Sequence, residues 1–248
     1  MFRRPLSFTV AVAALAASFP LSAAPEDYAG IIADEARLDA NRQLDENRRP
    51  AEVLDFAGFN EGQVVADYLA GAGYFSEMIA TIVGPEGRVY PMNPVGFHNA
   101  EAWNAIGAMH ENISPLIAAN THLQLAPGSV DAILTHLTFH DLYWESERFE
   151  YARLDVPSVL QNWHMALKPG GTVVVVDHYG PEGDTREVVE RIHRIDPATV
   201  IGAMQRAGFE LVDRSDALAN PEDDLDTSVF DESVRGKTSR FMLKFRKM

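Results

Sequence analysis

From Val64 to the C-terminus, the apolar positions of this chain switch repeatedly between a strand spacing and a helix spacing. Val64, Val65 and Ala66 follow the turn-like Asn60-Glu61-Gly62 and predict a buried strand. Phe75, Met78, Ile79 and Ile82 recur at steps of three and four and predict a helix. That helix stops at Gly84-Pro85-Glu86-Gly87, and Arg88 to Asn93 gives a second strand. Strand, helix and strand in so short a span form a right-handed parallel crossover. Residues 97–112 are predicted helical, with a short third strand within Pro115 to Ala119. Gly128-Ser129 then turns into a fourth strand, Val130 to Leu134. A helix from Val156 to Leu167 leads through Lys168-Pro169-Gly170-Gly171 into a fifth strand at 172–178. Asp196-Pro197 opens a helix over Ala198 to Arg206, which Ala207-Gly208 ends. Phe209 to Asp213 is a sixth strand, 214–236 an acid-rich polar loop, and Ser239 to Arg246 a seventh strand alternating apolar and basic residues.

The segment before Val64 has a different texture. Glu26 to Asn47 is charged, with Ile31, Ile32, Ala36, Leu38 and Leu44 as sparse apolar positions, and predicts one or two amphipathic helices over the domain. Pro50 suits the first turn of a further short helix, with Val53, Leu54 and Phe56 facing inward. At the start, Arg3 and Arg4 precede an apolar run from Leu6 to Phe19, then Pro20 and the small residues Ser22, Ala23 and Ala24. That is the layout of a secretory signal peptide, and the run is short for a membrane span. The expected organisation is a signal peptide at 1–24 and one domain at 25–248, with 25–49 as an N-terminal helical extension.

The chain has 248 residues, 46% of them hydrophobic, which is enough for a sizeable core. Its formal charge of −15 argues against nucleic acid and anionic lipid as partners. Having no cysteine, it has no disulfide, thiolate metal ligand or cysteine nucleophile.

The candidate chemistry begins at the turn after the first strand. Gly71 and Gly73 would let the chain turn sharply and a ligand come close, and the following helix N-terminus offers amide groups. A dinucleotide fingerprint would want a third glycine where Ser76 stands and an acid where Asn93 ends the second strand. What stands here is an acid followed by alternating positions, Asp67-x-Leu69-x-Gly71-x-Gly73, and later VDAIL, a helix, and LKPGGTVVVVD. Together these resemble the class I S-adenosylmethionine-dependent methyltransferases over about residues 48 to 248. RPAEVL, HRIDPATV and RGKTSRFMLKF resemble a branch of them that carries signal peptides. The resemblance implies an α/β, Rossmann-like, doubly wound sheet of seven strands, mostly parallel with an antiparallel last strand. It implies S-adenosyl-L-methionine as cofactor and a set of cofactor-binding positions: Asp67, Ala70, Gly71, Gly73, Asn93, Asn120 and His136. Asn93 would pair with ribose hydroxyls, and Asn120 lies near the place where an acid often meets the adenine amino group. Leu69 departs from the family's usual first glycine, and Asn93 from its usual acid.

Open parallel sheets bind ligands at the carboxyl ends of their strands. Those ends carry Asp67 to Gly73, Asn93, His136 to Asp141 and Asp177-His178, with His193, Arg194, Arg235, Lys237 and Thr238 expected on the same rim. His140 with Asp141 is the first candidate general base and His178 the second. Trp144 and Tyr143 could wall an aromatic substrate, and Arg48 or Arg49 could meet the carboxylate of an amino-acid moiety. The expected function is an exported, periplasmic or secreted methyltransferase acting on a small molecule. Arg235 and Lys237 would favour an anionic group on it; no metal site and no stable membrane insertion are expected. Two alternatives share these residues: a non-catalytic nucleoside-type binding protein, and a metal-dependent hydrolase or lyase using the histidine rim. Mass spectrometry of the protein from its native host should find an N-terminus after Ala23 or Ala24 outside the cytoplasm; an intact N-terminus on cytoplasmic protein would refute the export reading.

Overall fold

The structure, a computed structural model, describes residues 25–248, and the expected signal peptide lies outside them. Seven strands form one sheet in the order β3-β2-β1-β4-β5-β7-β6. They are β1 (Val64–Tyr68), β2 (Arg88–Pro94), β3 (Leu116–Ala118), β4 (Val130–His136), β5 (Leu167–His178), β6 (Phe209–Ser215) and β7 (Arg240–Lys247). The first five pair in parallel, and β7 runs antiparallel between β5 and β6. This is the doubly wound topology expected from the sequence.

Alternation along the central strands sends side chains to two cores. Ala66, Tyr68, Ile133, Val173 and Val175 pack on one face with Leu160 and Trp163 of α7 (Val156–Ala166) and Val200 and Met204 of α9 (Pro197–Arg206). Val65, Leu134, Val174 and Val176 pack on the other with Val53 and Leu54 of α4 (Pro50–Ala57) and Phe75, Met78 and Ile79 of α5 (Tyr74–Val83). Both faces are covered, so the inner strands read as continuous apolar runs.

The N-terminal extension forms α1 (Pro25–Ile32), α2 (Asp39–Arg42) and α3 (Asp45–Arg48). Its anchor is Arg37, buried, whose guanidinium donates to both oxygens of Asp45 at 2.9 Å and to Glu77 Oε1 of α5 at 2.9 Å. Tyr74 Oη donates to the same Asp45 at 2.7 Å, which ties the extension to the start of α5.

Three local expectations change. The helix predicted at 97–112 is α6 (Ala100–Met109), because Asn99 caps it by accepting from Ala102 N and a 3-10 turn, Val95–Phe97, precedes it. The fifth strand starts at Leu167 rather than 172, since Leu167 already pairs with Val130 before the register shifts. The loop expected after β5 contains a helix, α8 (Thr185–Ile192), which Asp184 caps and Val188, Val189 and Ile192 bury.

The acid-rich segment between β6 and β7 is pinned by an ion pair with both side chains fully buried. Arg194 Nη1 meets Asp223 Oδ2 at 2.7 Å, and Arg194 also donates to Thr227 O and Tyr179 O. Removing one partner leaves the other as a buried, uncompensated charge. Asp223→Ala should lower stability by about 3–5 kcal/mol in urea titrations. A loss under about 1 kcal/mol would show that water reaches Arg194.

Candidate functional site

The sheet's switch point lies between β1 and β4, whose following chains run in opposite directions, and the candidate residues gather there. The turn after β1 has three residues in the left-handed region: Leu69 (φ 57°), Gly71 (φ 58°) and Gly73 (φ 81°). Leu69 therefore keeps the backbone shape that a glycine would take, at a cost of about 1–2 kcal/mol. The Gly71 peptide is clamped from both sides by Asn93. Its N–H donates to Asn93 Oδ1 at 2.8 Å, and its carbonyl accepts from Asn93 Nδ2 at 3.2 Å and from Trp103 Nε1 at 3.1 Å. The two glycines do different work. A Cβ on Gly71 would meet nothing within 4 Å, whereas one on Gly73 would strike Ile106 Cδ1 at 2.5 Å and Trp103 Cη2 at 2.9 Å. Gly71 faces open space; Gly73 is needed for the packing of α6. The expectation that Gly73 meets a ligand is corrected accordingly.

Two cavities flank this turn and share Leu69, Gly71, Leu137 and Thr138 in their walls. The smaller, about 210 Å³, is lined by Arg48, Asp67, Ala70 and His136, with Asn41 and Leu44 of the N-terminal extension. Asp67 is buried and accepts from Ser76 Oγ at 2.6 Å. Burial pushes its carboxyl up to about 6, against the Ser76 hydrogen bond and the charge of Arg48. Arg48 lies with its guanidinium carbon 4.4 Å from the Tyr74 ring centroid and makes no hydrogen bond among the described residues. Arg49 points elsewhere, to Glu52 and Ala217 O, so of the two arginines only Arg48 reaches the cavity. His136 stacks against Phe75 with centroids 4.5 Å apart, and its Nε2 is buried with no partner among the described residues. Burial, together with Arg48 and Arg240, keeps this imidazole neutral.

The larger cavity, about 570 Å³, brings His140, Asp141, His178 and His193 together, as the strand directions predicted. His140 is buried, with Nδ1 2.8 Å from Asp177 Oδ1, while its backbone N–H donates to Asp177 Oδ2 at 2.8 Å. Its Nε2 stands 3.4 Å from Asp141 Oδ1. The close acid partner of His140 is thus Asp177 rather than the adjacent Asp141. Burial alone would lower His140, but Asp177 and Asp141 outweigh it and raise it to about 9. A group so placed is a cation at neutral pH, which makes it a donor rather than the base expected from the sequence. Burial raises Asp141 to about 6, His140 opposing and Asp177 adding. His178 Nδ1 lies 2.7 Å from Thr238 Oγ1, and burial, aided by His140, Arg194 and Arg240 against Asp177, lowers it to about 3. Burial and then His140 lower His193 to about 4.

The rest of the lining is aromatic: Phe97, Trp144, Phe149, Tyr151 and Phe230. Only Trp144 of these was singled out in the sequence; Tyr143 lies outside this cavity, its carbonyl held by Arg186. The others come from irregular segments that no periodicity marks. Asn120 is not in either wall. Its amide holds Ala152 through Nδ2 to O at 2.6 Å and N to Oδ1 at 3.3 Å, which replaces the adenine contact expected of it. Asn93 lines the larger cavity, where its amide spends one donor and one acceptor site on Gly71 and keeps one of each for a ligand. Arg235 and Lys237 are exposed and absent from the lining, because the segment before β7 presents Val229 and Phe230 to the cavity instead. Among the described residues no group of three or more His, Asp or Glu is arranged to hold a metal ion. None of the described helices is long and apolar enough to cross a membrane.

No family model matches the chain, and no curated protein does. Solved structures do match. A SAM-dependent methyltransferase from Aquifex aeolicus is 21% identical, with 91% of this chain and 99% of that one covered and a TM-score of 0.57. An S-adenosylmethionine-dependent methyltransferase from Mesorhizobium loti is 16% identical, covering 82% of this chain and 100% of that one, with a TM-score of 0.57. A TehB-like SAM-dependent methyltransferase from Corynebacterium glutamicum is 15% identical over 90% and 98%, with a TM-score of 0.53. The chain shares their Rossmann-like fold.

The His140–Asp177 pair has a pH signature. His140 is raised, so its contribution is complete below about 6.5 and lost as pH rises through about 9. Asp177 is lowered, so its contribution is present above about 3.9 and lost on acidification through its depressed value. Urea midpoints should therefore place the wild type above His140→Gln by an amount on the order of 1–3 kcal/mol near neutrality, shrinking above about pH 9. A constant difference across that range would mean that His140 is neutral in the fold.

Proposed function

We propose that this protein is an S-adenosylmethionine-dependent methyltransferase acting on a small molecule outside the cytoplasm, in the branch that carries signal peptides. The observation that carries this reading is the pair of cavities meeting at Gly71, one lined by amino-acid-recognising groups and the other by imidazoles and aromatic rings. The smaller has an unengaged guanidinium in Arg48, a carboxyl in Asp67 and an orphaned buried nitrogen in His136. Those are the groups an amino-acid moiety with its own carboxylate and ammonium would satisfy. Open space beside Gly71 suits a ligand lying against the backbone. The residues therefore fit the cofactor: Arg48 would hold its carboxylate, Asp67 its ammonium, and His136 and the Ala70–Gly71 turn the remainder of the amino-acid end.

When bound, S-adenosylmethionine supplies an electrophilic methyl carbon on a sulfonium. The chain's own part is alignment and exclusion of water. His140, charged and clamped by Asp177, fixes the wall and donates. His178, neutral and with Nε2 free of any hydrogen bond among the described residues, can hold and orient a polar group of the acceptor. The export half of the proposal rests on Arg3-Arg4 and the apolar run that follows.

Calorimetry with S-adenosylhomocysteine tests the cofactor reading. Arg48→Met should weaken binding roughly ten- to hundredfold, the worth of a charge-assisted hydrogen bond, while Arg49→Met leaves it unchanged. No binding by the wild type would refute the cofactor reading, and equal effects of the two variants would move the carboxylate away from Arg48.

A further inference from the structure

The larger cavity has a polarity gradient built from rings. Phe97 lies 5.9 Å from Phe149 and 6.0 Å from Tyr151, and Trp144 lies 5.9 Å and 5.3 Å from the same two. Trp144 then meets His193 at 5.4 Å, His193 meets His140 at 5.6 Å, and His140 meets His178 at 5.9 Å. One continuous wall thus passes from carbon rings to imidazoles. Phe230 covers His193 from the strap before β7, at 4.8 Å. Phe97, Phe149 and Phe230 are 41%, 44% and 59% exposed, so three rings that would bury on binding a flat apolar body now face solvent.

Charge narrows the polar end. Among the described residues no Lys or Arg lines the cavity, and its one cation, His140, is already held by Asp177 at 2.8 Å and Asp141 at 3.4 Å, so a carboxylate or phosphate group would find no unengaged partner. A cationic amine fares no better: burial first, and then His140, already keeps His178 and His193 neutral despite Asp177. What the imidazole end can take is a neutral hydrogen-bonding group. His178 Nδ1 is paired with Thr238 Oγ1, which leaves the ring's Nε2 with no hydrogen-bond partner among the described residues.

We infer that the acceptor molecule is a flat, uncharged aromatic carrying a hydroxyl, its ring against the Phe97–Phe149–Tyr151–Trp144 wall and its hydroxyl hydrogen-bonded to His178 Nε2. The inference rests on the methyltransferase reading for the word acceptor, and on the cavity alone for the class of ligand. His178 then contacts the reacting hydroxyl and orients it, and Phe230 is a positioning residue.

The test uses 2-naphthol, naphthalene and a trimethylammonium-substituted naphthalene, with binding read by tryptophan fluorescence on the protein saturated with S-adenosylhomocysteine. The expected result is 2-naphthol binding about tenfold tighter than naphthalene, the worth of one neutral hydrogen bond. His178→Phe should erase that ratio while keeping naphthalene affinity, and Phe230→Ala should weaken both ligands about equally. Equal binding of 2-naphthol and naphthalene, an unchanged ratio in His178→Phe, or tighter binding of the cation would each overturn the inference. If S-adenosylhomocysteine fails to bind but the naphthol ratio and its loss in His178→Phe are found without it, the cofactor reading falls and the ligand class stands.

Discussion

The buried carboxylate of Asp177 holds the working end of this sheet together. It sits at the end of β5 with no exposed surface and accepts from His140 N, from His178 N at 2.7 Å and from the His140 ring. A buried carboxylate is tolerable only when its oxygens are satisfied by charge or by several donors, and here both conditions are met. The consequence is geometric. The 3-10 turn His140–Tyr143 that follows β4 is fastened to β5 at its first residue, so Asp141 and Trp144 leave it in fixed directions. The consequence is also electrostatic, because the same carboxylate holds His140 as a cation, and that cation lowers His178 and His193. Burial does most to keep His178 and His193 neutral, and the cation that Asp177 holds adds to it.

The turn after β1 shows how two departures from the family's usual residues can belong together. Leu69 carries a left-handed backbone that glycine would hold without strain. Such a conformation persists when its surroundings over-determine it, and they do so through Asn93, which donates to and accepts from the next clamped peptide, Gly71. A carboxylate at 93 could accept from Gly71 N but could not donate to Gly71 O. The asparagine thus exchanges a charge that would face a ligand for a second hydrogen bond that fixes the turn.

What could be read from the sequence follows from which physical signals are local. The strands themselves and the clustering of His140, His178 and His193 came from periodicity and strand direction, which leave marks in a single chain, while the antiparallel last strand came from the family resemblance. The separate roles of Gly71 and Gly73 did not, because they depend on whether α6 or empty space lies beside each Cα. Asn120 misled for a related reason. Its position beyond β3 matched a ligand contact, while its partner, Ala152, lies in a loop whose path no pattern specifies. The pairing of His140 with Asp177 rather than Asp141 is also a tertiary fact: sequence neighbours on a 3-10 turn diverge, and strand neighbours converge.

The net charge of the chain gives no guide to the chemistry of its cavity. At −15 the molecule is strongly acidic, and the segment between β6 and β7 carries much of that excess. Within it, Arg194 draws Asp223 inward, while Asp224, Asp226 and Asp231 are exposed. Val229 N donates to Ile192 O at 3.2 Å, joining the same segment to the end of α8 just before His193. With these two fastenings the segment shows its carboxylates to water and lays Val229 and Phe230 over the imidazoles. An acidic loop can therefore close an apolar site, because a buried arginine decides which of its side chains face in.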